Sequence, residues 1–151
     1  MKTATKGNEA EAAVLTGLIG HGFDVLVPFG GGQPYDLVVD IGEAEYLRVQ
    51  CKTAWRRGGC LLFNSRTTDH GRGRQSYVGL ADIFGVYFPV NRRVYLVPLG
   101  DVAASKGWLR LEAPKNNQCK RIRFAADYEL SRWSVTKLRA HVPRGSIDGS
   151  F

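Results

Sequence analysis

Arg48-Val49-Gln50-Cys51-Lys52-Thr53-Ala54, taken with Pro34-Tyr35-Asp36-Leu37-Val38-Val39-Asp40 upstream of it, is the stretch on which the fold turns. Both runs are rich in strand-forming residues. In a strand, successive side chains point to opposite faces. Leu47, Val49 and Cys51 therefore share one face, and Arg48, Gln50 and Lys52 share the other. One side of this strand is apolar and belongs to a core. The other carries an arginine, an amide and a lysine.

Asp36 and Lys52 lie in neighbouring runs whose separation suits an antiparallel pair, so the two can meet across the sheet. Taken singly, each has a structural reading: a strand Asp near a turn bonds locally, and a strand Lys guards an edge. Together with Gln50, they match the needs of phosphodiester hydrolysis. A carboxylate holds a hard divalent cation, and a lysine stabilises the charged reacting groups. Glu11 joins them, because its spacing to Leu15 and Leu18 turns it toward the apolar stripe of a helix, where a carboxylate needs a partner. Glu9 reads as a residue that suits the positive end of that helix.

The spacing of Ala12, Leu15, Leu18 and Ile19 predicts an amphipathic helix from Asn8 to His21, ended by Gly20 and Gly22 and capped by His21. Strands are expected over Phe23 to Val27, Tyr35 to Val39 and Tyr46 to Lys52, with Gly42 at a hairpin turn. Leu61 to Ser65 is expected to extend the same sheet, Thr67 to Gln75 to be an exposed loop, and Ile83 to Phe88 and Arg93 to Val97 to be further strands. A short helix is expected to start near Asp101, a last strand to cover Arg121 to Phe124, and a helix to cover Ser134 to Ala140. Residues 1–142 read as a single domain and 143–151 as a polar tail. The Gly30 to Gly32 cluster lacks the strand-to-helix context of a nucleotide-binding loop and reads as a turn ahead of Asp36.

No apolar run approaches the roughly 20 residues that span a bilayer. The N-terminus meets acidic residues where a secretion signal would be apolar, so a cytoplasmic protein is expected. Cys51, Cys60 and Cys119 show no paired spacing, which argues against disulfides and against a cysteine zinc site; Cys51 reads as a core residue. The net charge of +7 is uneven, with −3 on residues 1–54 and +10 on the rest. Such asymmetry points to a polyanionic partner. Between Trp55 and Gln75, Arg56, Arg57, Arg66, Arg72 and Arg74 stand against Asp69 alone, and these arginines are the expected nucleic-acid contacts. A second basic group, including Lys115, Lys120, Arg121, Arg123, Arg132, Lys137 and Arg139, either extends that footprint or covers the surface. His70 lies within the arginine-rich loop, and Trp55 and Tyr77 read as packed aromatics.

Lys6-Gly7-x-x-x-Glu11, Gly22-Phe23-x-Val25, Pro34-Tyr35-Asp36-Leu37-Val38-Val39 and Val49-Gln50-Cys51-Lys52-Thr53 together resemble the PD-(D/E)XK nuclease superfamily. Gln50, with Tyr77-x-x-x-x-Asp82-x-Phe84-x-Val86-Tyr87 and Val94-Tyr95-Leu96-Val97-Pro98, resembles its group I intron-encoded homing endonuclease branch. The opening helix is also similar to that of archaeal Holliday junction resolvases. The chain departs from the name-giving motif at Tyr35, which separates Pro34 from Asp36, and at Gln50, where most members carry a carboxylate.

The resemblance implies an α/β, restriction-endonuclease-like core, a mixed sheet flanked by helices, and Mg²⁺-dependent hydrolysis of double-stranded DNA. It implies Asp36 as the central metal ligand, Glu11 as a direct or water-mediated one, and the Cys51 carbonyl as a third. Lys52 would stand next to the attacking water and Gln50 would modulate the site. Cutting both strands needs two such sites, so a homodimer or higher homo-oligomer is expected. A junction-resolving or repair nuclease, and a silent DNA-binding module of the same fold, are the competing readings.

Overall fold

The opening helix α1 (Thr3–Gly20) begins before the expected Asn8 and ends where expected. The structure, a computed structural model, describes residues 2–69, 73–112 and 122–142; the side chains of Thr3, 67–69 and 73–76 lie outside that description. The buried row of α1 is Ala10, Val14 and Leu18, with Ala13 and Leu15 partly buried. Of the expected stripe only Leu18 is fully buried; Ala12 is exposed and Ile19 is 58% exposed. Close packing selects the small residues. An ideal Cβ on Gly85 would stand 2.6 Å from Val14, so helix and sheet meet where neither has bulk. At the helix end, Gly22 has φ 84° and Phe23 N–H bonds back to Leu18 O at 3.0 Å. His21 caps as expected, its Nδ1 lying 3.1 Å from Gly17 O.

Among the described residues ten strands follow: β1 (Asp24–Leu26), β2 (Leu37–Gly42), β3 (Glu45–Thr53), β4 (Trp55–Arg57), β5 (Cys60–Asn64), β6 (Arg66–Asp69), β7 (Gly73–Ser76), β8 (Ile83–Phe88), β9 (Arg93–Pro98) and β10 (Lys106–Arg110). The closing helix is α2 (Val135–His141). The main sheet runs β1-β2-β3-β8-β9 and is mixed, because β3 and β8 are parallel while the other pairs are antiparallel. The α/β architecture read from the sequence is therefore present. β8 is buried along its whole length, as befits a strand covered on both faces.

Four expectations are corrected. Leu61 to Ser65 does not extend the main sheet; β5 sits between β10 and β4 in a second sheet. Its unbroken apolar run, buried from Cys60 to Phe63, packs on the main sheet's far face, with the Phe63 ring 5.3 Å from Phe84. The expected loop at 67–75 is a hairpin, with β6 and β7 paired from Arg66↔Ser76 to Asp69↔Gly73. Its strands are polar, so they lack the apolar alternation that marks a half-buried strand. The helix expected near Asp101 is a 3-10 turn, Leu99–Asp101, followed by the unforeseen β10. The expected last strand is only an isolated bridge at Phe124 to Arg110, and Arg121 lies outside the described residues, as does the tail from 143.

The helix read over Ser134 to Ala140 is α2, with the Ser134 hydroxyl accepting from Lys137 N–H at 3.1 Å. From it Arg139 reaches back to Ile41 O at 2.6 Å and Glu45 at 3.1 Å. This secures the β2–β3 turn, where Gly42, Glu43 and Ala44 all have positive φ. Among the described residues, no helix is long and apolar enough to cross a membrane.

Candidate active site

β2 and β3 pair with Leu37 opposite Val49, which brings Asp36 to the margin of β3 beside Gln50 and Cys51. Asp36 is fixed there twice. Its N–H donates to Val49 O at 2.8 Å, and its Oδ2 accepts from Cys51 N–H at 2.9 Å. The second bond extends the ladder by one side chain. The carboxylate is thus part of the sheet's own hydrogen bonding and cannot swing away without losing it.

α1 brings Glu11 against this end of β3. Burial first, and the Asp36 charge second, push the Glu11 carboxyl above its ordinary range. Asp36 is likewise raised, chiefly by burial, although the Cys51 amide and the Lys52 charge draw it back down. Two acids therefore lie close enough for the Asp36 charge to disfavour that of Glu11. The Cys51 thiol beside them is pushed far upward by burial and then by the Asp36 and Glu11 charges, which makes it inert, in keeping with its reading as a core residue.

Lys52 projects from the opposite face of β3 to Cys51. Its Nζ donates to Tyr77 Oη at 3.0 Å and to Arg66 O at 3.3 Å. Gln50, on the same face, directs Nε2 toward the Cys51 carbonyl over a long 3.4 Å. One alternate position before Gln50, Arg48 is clamped by Asp82, Nε to Oδ2 and Nη2 to Oδ1 at 3.1 Å each, and donates to Gly79 O at 2.9 Å. The Tyr77-to-Asp82 segment therefore grips the polar face of β3 at both ends.

Glu11, Asp36, Gln50, Cys51 and Lys52 are thus brought together. Among the described residues, no cluster of three or more His, Cys, Asp and Glu side chains is arranged to hold a metal. The donors present are two carboxylates, a backbone carbonyl and an amide. All are hard oxygen donors, suited to a cation such as Mg²⁺ that keeps several of its own waters. The donor chemistry fits, and the raised carboxylates are a pair that a dication would stabilise in charged form.

A groove of about 440 Å³ runs beside this cluster, and Lys6, Lys52, Arg66 and Lys106 line it without any acid. A second concavity of about 590 Å³ shares Lys6, Thr53 and Asn64 with it and continues to Trp55. A further concavity of about 680 Å³ lies between α1 and β9 and includes neither Asp36 nor Lys52, so it has no part in this chemistry. Of the expected nucleic-acid contacts, Arg66 lines the groove, its Nε also bonding Ala104 O at 3.2 Å. Arg57 is exposed, whereas Arg56 is occupied by an ion pair with Glu112. Arg72 and the Arg74 side chain lie outside the described residues, as does His70. Much of the second basic group serves the fold: Arg123 pairs with Asp101, Arg139 with Glu45, and Lys137 lies over the Trp133 ring. Lys106 and Tyr77 are what the sequence reading missed. β10 gave Lys106 no strand signal, but Tyr77 and Asp82 stood in a quoted motif whose two ends hold Lys52 and Arg48.

The family described as PD-(D/E)XK endonuclease matches residues 1–131. The chain belongs to the PD-(D/E)XK endonuclease family. Among solved structures, that of a bacterial homing endonuclease, I-Ssp6803I, is similar to this PD-(D/E)XK chain with a TM-score of 0.64 and 22% identity. The similarity covers 91% of this chain and 93% of that one, so the restriction-endonuclease-like fold is shared over most of both chains. No curated protein is significantly similar in sequence.

Proposed function

We propose that this PD-(D/E)XK endonuclease is a Mg²⁺-dependent enzyme of the homing type that hydrolyses phosphodiester bonds in double-stranded DNA. The observation that carries the reading is the meeting of Asp36, Glu11 and Lys52 at one end of β3, with both carboxyls raised by burial. Asp36 and Glu11 would hold the cation, with the Cys51 carbonyl and the Gln50 amide oxygen as neutral donors. A cation held there supplies charge neutralisation at the phosphate and a more acidic water.

The chain's own residues do the rest. Asp36 cannot rotate while its Oδ2 holds Cys51 N–H, so the ligand geometry is set before substrate arrives. Lys52 offers an ammonium N–H to the non-bridging oxygens of the phosphate, where negative charge grows as the nucleophile adds. Lys6, Lys106 and Arg66 fix the flanking backbone phosphates in the groove, independently of base sequence. Cutting two strands takes two such sites, and a homodimer is the smallest assembly that supplies them.

Homing, as opposed to repair, is supported by Gln50 and by the near-complete overlap with a homing endonuclease. Supercoiled plasmid should be nicked and then linearised with Mg²⁺ and remain intact with EDTA. Salt-sensitive binding of DNA that stays uncut with every divalent metal would instead indicate a silent module. A strong preference for four-way junctions over linear duplex would move the assignment to junction resolution.

A further inference from the structure

We infer that Tyr77 is the positioning residue for the Lys52 ammonium, fixing where it meets the scissile phosphate; this rests on the reading of Lys52 as a catalytic group. The Tyr77 hydroxyl accepts from Nζ at 3.0 Å, and the centroid of the same ring lies 4.6 Å from Nζ. One side chain therefore holds the ammonium by both a hydrogen bond and a cation–π contact. A lysine stem otherwise has wide rotamer freedom, and a catalytic contact needs that freedom removed.

Tyr77 can do this because it is itself immobilised. It is 4% exposed, and its ring stands edge-on to Phe84 at 5.7 Å and 85°. Phe84 lies on β8 opposite Gln50 of β3, so the holder is anchored to the same sheet as the residue it holds. Arg66 O, at 3.3 Å, is the second acceptor. Arg66 opens β6 and Tyr77 follows β7, so both stems of the hairpin converge on the lysine. An ammonium has three N–H donors, and two are committed here, which leaves one direction for a phosphate oxygen.

A purely packing role for Tyr77 would be met equally well by phenylalanine, which keeps the ring, its contact with Phe84 and the cation–π contact. Tyr77→Phe removes only the hydroxyl. The variant should keep the wild-type KM while kcat falls about tenfold, the effect of losing one hydrogen bond to a charged group. In the absence of DNA and metal, an amine-acylating reagent should modify Lys52 severalfold faster in Tyr77→Phe, read by mass spectrometry on its peptide, with other lysines unchanged. Unchanged Lys52 labelling overturns the inference whatever the activity, and so does an unchanged kcat in a protein that cleaves DNA. Wild-type protein that cleaves nothing would defeat the nuclease reading by itself, and the labelling would still decide whether Tyr77 holds Lys52.

Discussion

Asp36 carries its charge in the folded chain against burial, helped by one amide and one nearby lysine. Its raised pKa means that the native state binds the proton more tightly than the unfolded state does. Stability from this group is therefore complete below the ordinary carboxylate value and falls as pH rises through the raised one. Asp36→Asn keeps an oxygen for the Cys51 N–H and deletes the charge. In metal-free protein at neutral pH this variant should melt higher than wild type, and the gap should close as the pH drops below the ordinary carboxylate range. Mg²⁺ should then raise the melting temperature of wild type and leave Asp36→Asn unmoved, since only a folded state that binds the ion gains from it. A variant that melts lower at neutral pH would show that the charge supports the fold.

Among the elements, the contact of α1 with the main sheet matters most, because it alone brings Glu11 to Asp36. Gly85→Ala would press a methyl to 2.6 Å from Val14 and 3.1 Å from Val49. Urea unfolding should show a loss of about 1–3 kcal/mol, the usual cost of overpacking a tight interface. The main-sheet strands were legible because each carries either clean alternation or two-sided burial, and the carboxylate, amide and lysine were legible because strand parity puts them in register. Other elements were not. The hairpin of β6 and β7 has no apolar residue in either strand, and β10 places Gly107 against the Phe63 ring and leaves Trp108 half exposed, so its pattern resembles a loop. The buried row of α1 was misread because Ala10 and Val14 are chosen by the closeness of the sheet, which no helical period reveals. Tyr77 was read as a packed aromatic, and it is one, but its bond to Lys52 spans a hairpin that the sequence did not announce.

Over the whole molecule, the excess positive charge divides between fold and groove. Arg123 and Arg139 are used in ion pairs, while Lys6, Lys52, Arg66 and Lys106 face a common concavity. If Lys6 and Lys106 each neutralise a phosphate, alanine at both should weaken binding to all duplexes alike. It should also flatten the salt dependence of affinity by about 0.9 in log–log slope for each lysine. A slope unchanged by the double substitution would place the DNA elsewhere. The central claim is that Asp36, Glu11 and Lys52 form one catalytic unit, and its most direct test is the single-turnover rate of plasmid cleavage at saturating Mg²⁺. Asp36→Ala, Glu11→Ala and Lys52→Ala should each lose at least two orders of magnitude, about 2.7 kcal/mol of barrier, while still binding DNA. Cleavage by Asp36→Ala and Lys52→Ala at the wild-type rate would contradict the account.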